Sequence, residues 1–252
     1  MSKKNDIVPD ELSAGAPIKP ARKVVHRSPH RSVGILACSW IQEHAIEYES
    51  QLERRFLQQA LILPIIKRVM HQPFRLEYLL EGKTHTYVPD FLVHFVDGTK
   101  AVIEIKPEKF LKGHRHKLEE AERILAEKDV PFLVITDAEI DDGVKAANAS
   151  YLLRFARGSA SVQAKERCLQ ALHVSNGALS LEHLILQAEV SEAEILHFVG
   201  RATLSLNASE PITNTTIVHV PQEDNKNDYL HFINWFSTAP GAAIARIPQD
   251  AR

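Results

Sequence analysis

The chain has 252 residues, enough for one large domain or two smaller ones with cores of their own. Charged residues at 25% and apolar residues at 44% exclude a disordered or membrane-embedded chain. The formal net charge of −2 excludes a uniformly basic surface of the kind that grips nucleic acid by neutralising phosphates, so basic residues are segregated or partners present the ligand. No apolar run approaches membrane-spanning length and the N-terminal residues lack a signal peptide's apolar core, so the expected location is cytoplasmic, with no membrane partner. Cys38 and Cys168 give neither a disulfide framework nor zinc-ligand spacing.

Residues 1–30 carry Pro9, Pro17, Pro20 and Pro29 without apolar periodicity and read as a flexible arm. Lys19, Arg22, Lys23, Arg27 and Arg31 make its end basic, as a DNA-following arm or a solvated tail would be. From about His44 to Leu63 the pattern is helical, with Ile46, Leu57 and Ala60 inward and Arg54, Arg55, Gln58 and Gln59 outward. Glu53 falls within the apolar stripe, where a charge needs a partner or a metal, and Glu49 lies one turn earlier on the same face. Pro64 ends the helix, and a strand-like segment runs from Ile65 to Leu80 before a turn at Glu81-Gly82-Lys83. Gln72-Pro73 interrupts it; Gln72 either orients a water or phosphate or satisfies a backbone group.

The stretch from Tyr87 to Pro107 reads as a hairpin. Asp90, Leu92 and His94 alternate with Phe91, Val93 and Phe95, and Asp97-Gly98 supplies the turn. On the returning strand Val102, Glu104 and Lys106 share one face and Ala101, Ile103 and Ile105 the other. Two residues along a strand span roughly 6.5 Å, so Glu104 and Lys106 can serve one site, and in-register pairing brings Asp90 beside them. An amphipathic hairpin with a surface ion pair is the plainer alternative. Pro-Asp followed at strand length by Glu-x-Lys resembles the signature of the PD-(D/E)xK nuclease superfamily. That resemblance implies carboxylates holding Mg²⁺, with Mn²⁺ as a substitute, and a lysine that orients the nucleophile or neutralises charge on the cut phosphate.

After Pro107, residues from about Lys112 to Lys128 form a charged helix with Leu118, Ala121, Ile124 and Leu125 inward. His114 and His116, two apart, do not lie side by side on a helix and give no metal pair, whereas Arg115 and Lys117 are candidates for DNA contact. Phe132–Thr136 is a buried strand, and Asp137 leads into a helix through Phe155.

The resemblance narrows to the TnsA endonuclease family of cut-and-paste transposons. It is carried by Tyr48-Glu-Ser-Gln-Leu-Glu-Arg-Arg-Phe-Leu57, Gln72-Pro73, Tyr87-Val-Pro-Asp-Phe-Leu-Val93, Ile103-Glu-Ile-Lys-Pro107 and Pro131-Phe-Leu-Val-Ile-Thr-Asp-Ala-Glu-Ile140. It implies an α/β restriction-endonuclease-like core with catalytic Glu53, Asp90, Glu104 and Lys106, a metal on Asp90, Glu104 and Glu53, and auxiliary roles for Gln72 and Glu49. Some members of the family carry Gln where this chain has Glu104. The implied activity is Mg²⁺-dependent cleavage of the 5′ strands of DNA at transposon ends, beside a separate DDE-type (TnsB-like) transposase and under an AAA+ (TnsC-like) ATPase. A restriction- or repair-type nuclease acting alone and a non-catalytic adaptor retaining the fold are the alternatives.

On this reading the nuclease domain covers residues 31–157. Gly158–Ser161 is a linker, and helices over Ala164–His173, Leu181–Gln187 and Ser191–Leu204, followed by strands near Ser205 and Thr215–Val220, suggest a winged helix over residues 161–220. Ser191 and Glu194 form a capping box at the third helix. That helix offers only Arg201 beside Glu192, Glu194 and His197, which favours protein docking over reading of DNA. In the tail, residues 221–252, Tyr229, Phe232, Trp235 and Phe236 either dock a partner or pack back on the protein.

Overall fold

The computed structural model describes residues 20–21, 32–80, 82–221 and 227–247; the basic run of the expected arm lies outside them. Within that arm, Ala21 is tied down, donating its N–H to Gln72 O at 2.8 Å. The described residues fall into two compact units, one within Met1–Arg54, Ile65–Ile140 and Asn225–Arg252, the other within Arg55–Pro64 and Asp141–Asp224.

The first elements among the described residues are β1 (Gly34–Leu36) and β2 (Ile46–Tyr48), an antiparallel pair, followed by α1 (Gln51–Ala60). The helix expected from His44 therefore starts seven residues later. Ile46 and Tyr48 pair with Leu36 and Gly34, and Ser50 starts the helix by accepting the Glu53 N–H at 3.1 Å. Gln58 and Gln59 are buried rather than outward, and Gln58 reaches Ser150 Oγ at 3.3 Å. Amides with partners tolerate burial that a polar/apolar pattern assigns to solvent.

The first unit is organised by a four-stranded sheet. It contains β3 (Ile66–His71), then β4 (Leu76–Leu80) and β5 (Lys83–Tyr87) as a separate hairpin, then β6 (Phe91–Phe95) and β7 (Lys100–Ile105). The segment expected to run unbroken from Ile65 to Leu80 is thus two strands, broken where Gln72 takes a left-handed φ of 45°. Two 3₁₀ turns, Glu108–Phe110 and Lys112–His114, lead into α2 (Arg115–Ala126), which crosses over to β8 (Phe132–Ile135), parallel to β7 as a helical crossover allows. The sheet order is β3-β6-β7-β8. Leu118, Ala121, Ile124 and Leu125 of α2 pack with Met70, Leu92, Val102, Phe132 and Val134, the inward set the helical spacing predicts.

Past β8 come α3 (Asp137–Ile140) and α4 (Lys145–Ala156). The single helix expected through Phe155 is broken at Gly143, φ 59°. α4 falls in the second unit with α5 (Val162–Val174), β9 (Ala178–Ser180), α6 (Leu181–Ala188), α7 (Glu192–Gly200), β10 (Ser205–Leu206) and β11 (Ile217–His219). The three strands form an antiparallel sheet in the order β10-β11-β9. Ser161, Ser180 and Ser191 cap their helices, and Ser191 and Glu194 form the reciprocal box. α7 ends at Gly200, where a Cβ would stand 2.5 Å from Leu152 O, so only glycine allows this approach of α7 to α4. Its residues Ile195–Gly200 are all buried, and Arg201 Nε donates to Ala156 O at 2.8 Å. The one basic group expected to face a ligand from this helix is spent on the chain's own backbone.

The tail returns to the first unit as α8 (Asp228–Trp235) and α9 (Ala242–Ala245). Phe232 and Phe236 are fully buried, and the Phe232 ring meets Phe95 of β6 edge-on at 5.2 Å. Asp97 and Asp228 each accept the other's backbone N–H, at 3.0 and 2.8 Å. Ala243, Ile244 and Ile247 enter the core beneath α2, and Arg246 pairs with Glu139 at 2.6 Å and Glu108 at 3.3 Å.

Candidate functional site

Four strand and helix ends of the first unit meet around a cleft of about 570 Å³. The register Phe91↔Ile103 and Leu92↔Val102 carries Asp90 alongside Glu104, and Asp90 Oδ2 accepts the Ile105 N–H at 2.8 Å. Lys106, just beyond β7, places Nζ 3.1 Å from Glu104 Oε1. Glu53, in the first turn of α1, lines the same cleft with Glu49. The structure therefore brings Glu53, Asp90, Glu104, Lys106 and Glu49 to one wall system.

Gln72 does not line this cleft. It stands behind it, buried, with its N–H donated to Asp90 O at 2.7 Å and Nε2 3.4 Å from Glu49 Oε1. Its side chain meets the Glu49 carboxylate rather than a backbone group, and it is the Gln72 main chain that bonds Asp90 and Ala21.

Each carboxylate is held by donors. Glu53 Oε1 accepts from the Ser50 hydroxyl at 2.8 Å and Oε2 from the Glu49 N–H at 2.7 Å. The Ser-x-x-Glu sequence thus caps the helix and points its glutamate into the cleft at once. Glu104, 2% exposed, accepts the Tyr87 hydroxyl at 2.6 Å, and Lys117 Nζ of α2 approaches its other oxygen to 3.5 Å while lying 4.6 Å from the Tyr87 ring centre. Lys117, a candidate for DNA contact in the sequence, is thus engaged with Glu104, and Tyr87 joins the site as a residue that the sequence pattern does not mark on its own. The signal for Tyr87 was its place at the end of β5, three residues before Asp90, but pairing of its hydroxyl with Glu104 needs the fold.

Crowding of like charge shows in the acid strengths. Burial, and then the charges of Glu104 and Glu53, push the Asp90 carboxyl well above the usual carboxylate range, against the pull of Ile105 N–H and Lys106. Burial likewise raises Glu53, helped by Glu49 and Glu104 and opposed by its hydrogen bonds. Burial works against the Lys106 ammonium, yet Glu104, Asp90 and Glu53 lift it above the ordinary lysine value.

Residues 63–137 match the family model of the TnsA-like endonuclease N-terminal domain. The chain carries a TnsA-like endonuclease domain. The matched stretch of the TnsA-like domain runs from before β3 into α3 and takes in Asp90, Glu104, Lys106 and Gln72, while Glu49 and Glu53 precede it. No curated protein matches the chain.

The donor chemistry of the TnsA-like site fits a hard divalent cation. Its acidic lining consists of carboxylates, and Glu49, Glu53, Asp90 and Glu104 outnumber Lys106 and Lys117 among the described lining residues by two charges. Glu53, Asp90 and Glu104 line one cleft, though no group of three or more His, Cys, Asp or Glu side chains placed to hold a metal ion is found among the described residues.

Proposed function

We propose that this protein is a divalent-metal-dependent DNA endonuclease that cuts the 5′ strands at transposon ends, working beside a DDE-type transposase and an AAA+ ATPase. The observation that carries the reading is the cleft itself: Asp90, Glu104 and Lys106 inside a TnsA-like endonuclease domain share it with Glu53. Asp90, Glu104 and Glu53 would hold Mg²⁺ or Mn²⁺, which when bound supplies an activated water and charge stabilisation for the cut phosphate. Lys106, anchored on Glu104, keeps an ammonium at the wall of the cleft, where it can neutralise a phosphate oxygen or orient a water. Tyr87 fixes the other Glu104 oxygen, and Lys117 approaches the same oxygen as Lys106. Gln72 keeps the Asp90 backbone in place.

Dependence on partners is supported by the net charge of −2, which leaves little general attraction to DNA. The second unit supports a docking role. Its element order α5-β9-α6-α7-β10-β11 supports reading it as a winged helix, and its third helix spends its buried face and Arg201 on its own chain rather than offering them to bases. A cytoplasmic site of action accords with the described helices, none of which is long and apolar enough to cross a membrane.

The test is Mg²⁺-dependent nicking of transposon-end DNA, with partners added, by the wild type and by Asp90→Ala and Lys106→Ala. The reading requires both variants to lose cleavage by several orders of magnitude while keeping the wild-type circular dichroism spectrum. Cleavage by either at the wild-type rate contradicts it.

A further inference from the structure

Among the described residues that line the cleft, one side chain is an exposed phenyl ring. Phe110 is 51% exposed and lines the same space as Asp90, Glu104 and Lys106. A single exposed phenylalanine on an open surface is ordinary. This one stands among groups suited to phosphate and metal, where a phenyl ring makes no hydrogen bond and gains nothing from water.

Its mounting is fixed on both sides. Phe110 N donates to Pro107 O at 2.9 Å, Glu108 N donates to Asp137 Oδ1 at 2.7 Å, and the next residue, Leu111, is buried in the core under α2. The ring is thus presented by two short 3₁₀ turns tied to the domain rather than by a loose loop. Lys109 Nζ lies 5.0 Å from its centre. From Lys109 to Leu118 the chain carries Lys109, Lys112, Arg115 and Lys117, with His114 and His116, and no acidic residue. Arg115 pairs with Glu119 at 2.7 Å and Lys117 with Glu104 at 3.5 Å, so Lys109 and Lys112 lead the run beside the ring. An aromatic face set in a basic run beside a phosphate-cutting centre is how single-stranded nucleic acid is held: cations follow the backbone and the ring stacks on a base.

Resting on the nuclease reading, we infer that Phe110 is a stacking platform for an unpaired nucleobase next to the phosphate that is cut. Every base has a π face, so the platform selects no sequence. It selects a state of the DNA: a base that stacks on Phe110 has left its neighbour in the duplex, which favours frayed, mismatched or single-stranded substrate at that position.

The test uses the full chain and two fluorescent oligonucleotides of equal length and charge, one of thymidines and one of abasic residues, with Ca²⁺ as the only divalent ion. Wild type is expected to bind the thymidine strand about 5- to 150-fold more tightly than the abasic strand, the range of one stacked base. Phe110→Ala is expected to lose that preference and Phe110→Trp to keep it. Equal binding of the two strands by wild type, or a preference undiminished in Phe110→Ala, overturns the stacking platform and leaves the nuclease reading standing. Failure of wild type to bind either strand overturns the platform alone, since the nuclease reading has partners presenting the DNA and is tested by cleavage with those partners added.

Discussion

The hydroxyl of Tyr87 donates a 2.6 Å hydrogen bond to Glu104 Oε2 in a place where neither residue is more than 4% exposed. Burial, and then the charges of Glu104 and Asp90, push this hydroxyl well above its ordinary acid range, so it remains a donor at neutral pH. Tyr87→Phe leaves a buried carboxylate oxygen without its partner, at a cost of about 1–3 kcal/mol in stability. Because the bond also aims Glu104, the variant is expected to need roughly 10- to 100-fold more Mg²⁺ for half-maximal cleavage. A metal titration of cleavage checks this; an unchanged midpoint would mean that Glu104 is held well enough by its lysines.

Lys106 and Lys117 both reach Glu104 Oε1, at 3.1 and 3.5 Å, but from different elements. Lys106 follows β7 beside Asp90, whereas Lys117 rises from α2 and covers the Tyr87 ring. Lys117→Ala is expected to slow single-turnover cleavage by about 10-fold, against at least about 100-fold for Lys106→Ala. Equal losses in the two variants would contradict the separate roles assigned to them.

Among the described residues no hydrogen-bond partner meets His94 Nε2, and the side chain is 2% exposed. Burial, and then the charges of Arg68, Lys100 and Lys67, bring its pKa down from 6.5 to about 4. Between those values the unfolded chain binds a proton that the folded one refuses, so stability is present above about pH 6.5 and is lost as pH falls toward 4. The loss is on the order of 3 kcal/mol at about 1.4 kcal/mol per pKa unit. Asp90 and Glu53 act with the opposite sign, since their raised carboxyls make stability fall as pH rises out of the unfolded carboxylate range. Urea unfolding of wild type and His94→Leu at pH 7 and pH 4.5 separates the two: the variant is expected to lose less on acidification, and an identical loss would contradict the assignment.

Phe232 and Phe236 of the returning tail are core residues of the first unit. Phe232→Ala is expected to cost about 3–5 kcal/mol. A chain ending at Pro221 is expected to lose the thermal transition of the TnsA-like domain altogether, since Ala243, Ile244 and Ile247 go with it. Unfolding followed by calorimetry checks both, and a shortened chain that melts like the wild type would show the tail to be dispensable.

What could be read from sequence followed local rules. Alternation around Asp97-Gly98 gave the hairpin and the common face of Asp90 and Glu104, and apolar spacing gave the inward side of α2. Ser191 and Glu194 gave a helix start. What could not be read depended on distant partners. Ile46–Tyr48 looked helical until β1 supplied a strand to pair with, and Gln58 looked solvated until Ser150 supplied its hydrogen bond. The tail aromatics carried no mark of the strand they return to, because Phe95 lies more than 130 residues earlier. In the site, Glu53 was legible as a misplaced charge, but its bonds to Ser50 and Glu49, and those of Glu104 to Tyr87 and Lys117, required three dimensions.

The account turns on carboxylates of one cleft serving a divalent cation, and Mn²⁺ binding to the full chain, followed by electron paramagnetic resonance with and without duplex DNA, tests it most directly. The prediction is that wild type binds Mn²⁺, that Mg²⁺ displaces it, and that Asp90→Asn binds at least about tenfold more weakly. Binding that Asp90→Asn and Glu104→Gln leave unchanged, or no binding by wild type under either condition, would contradict it.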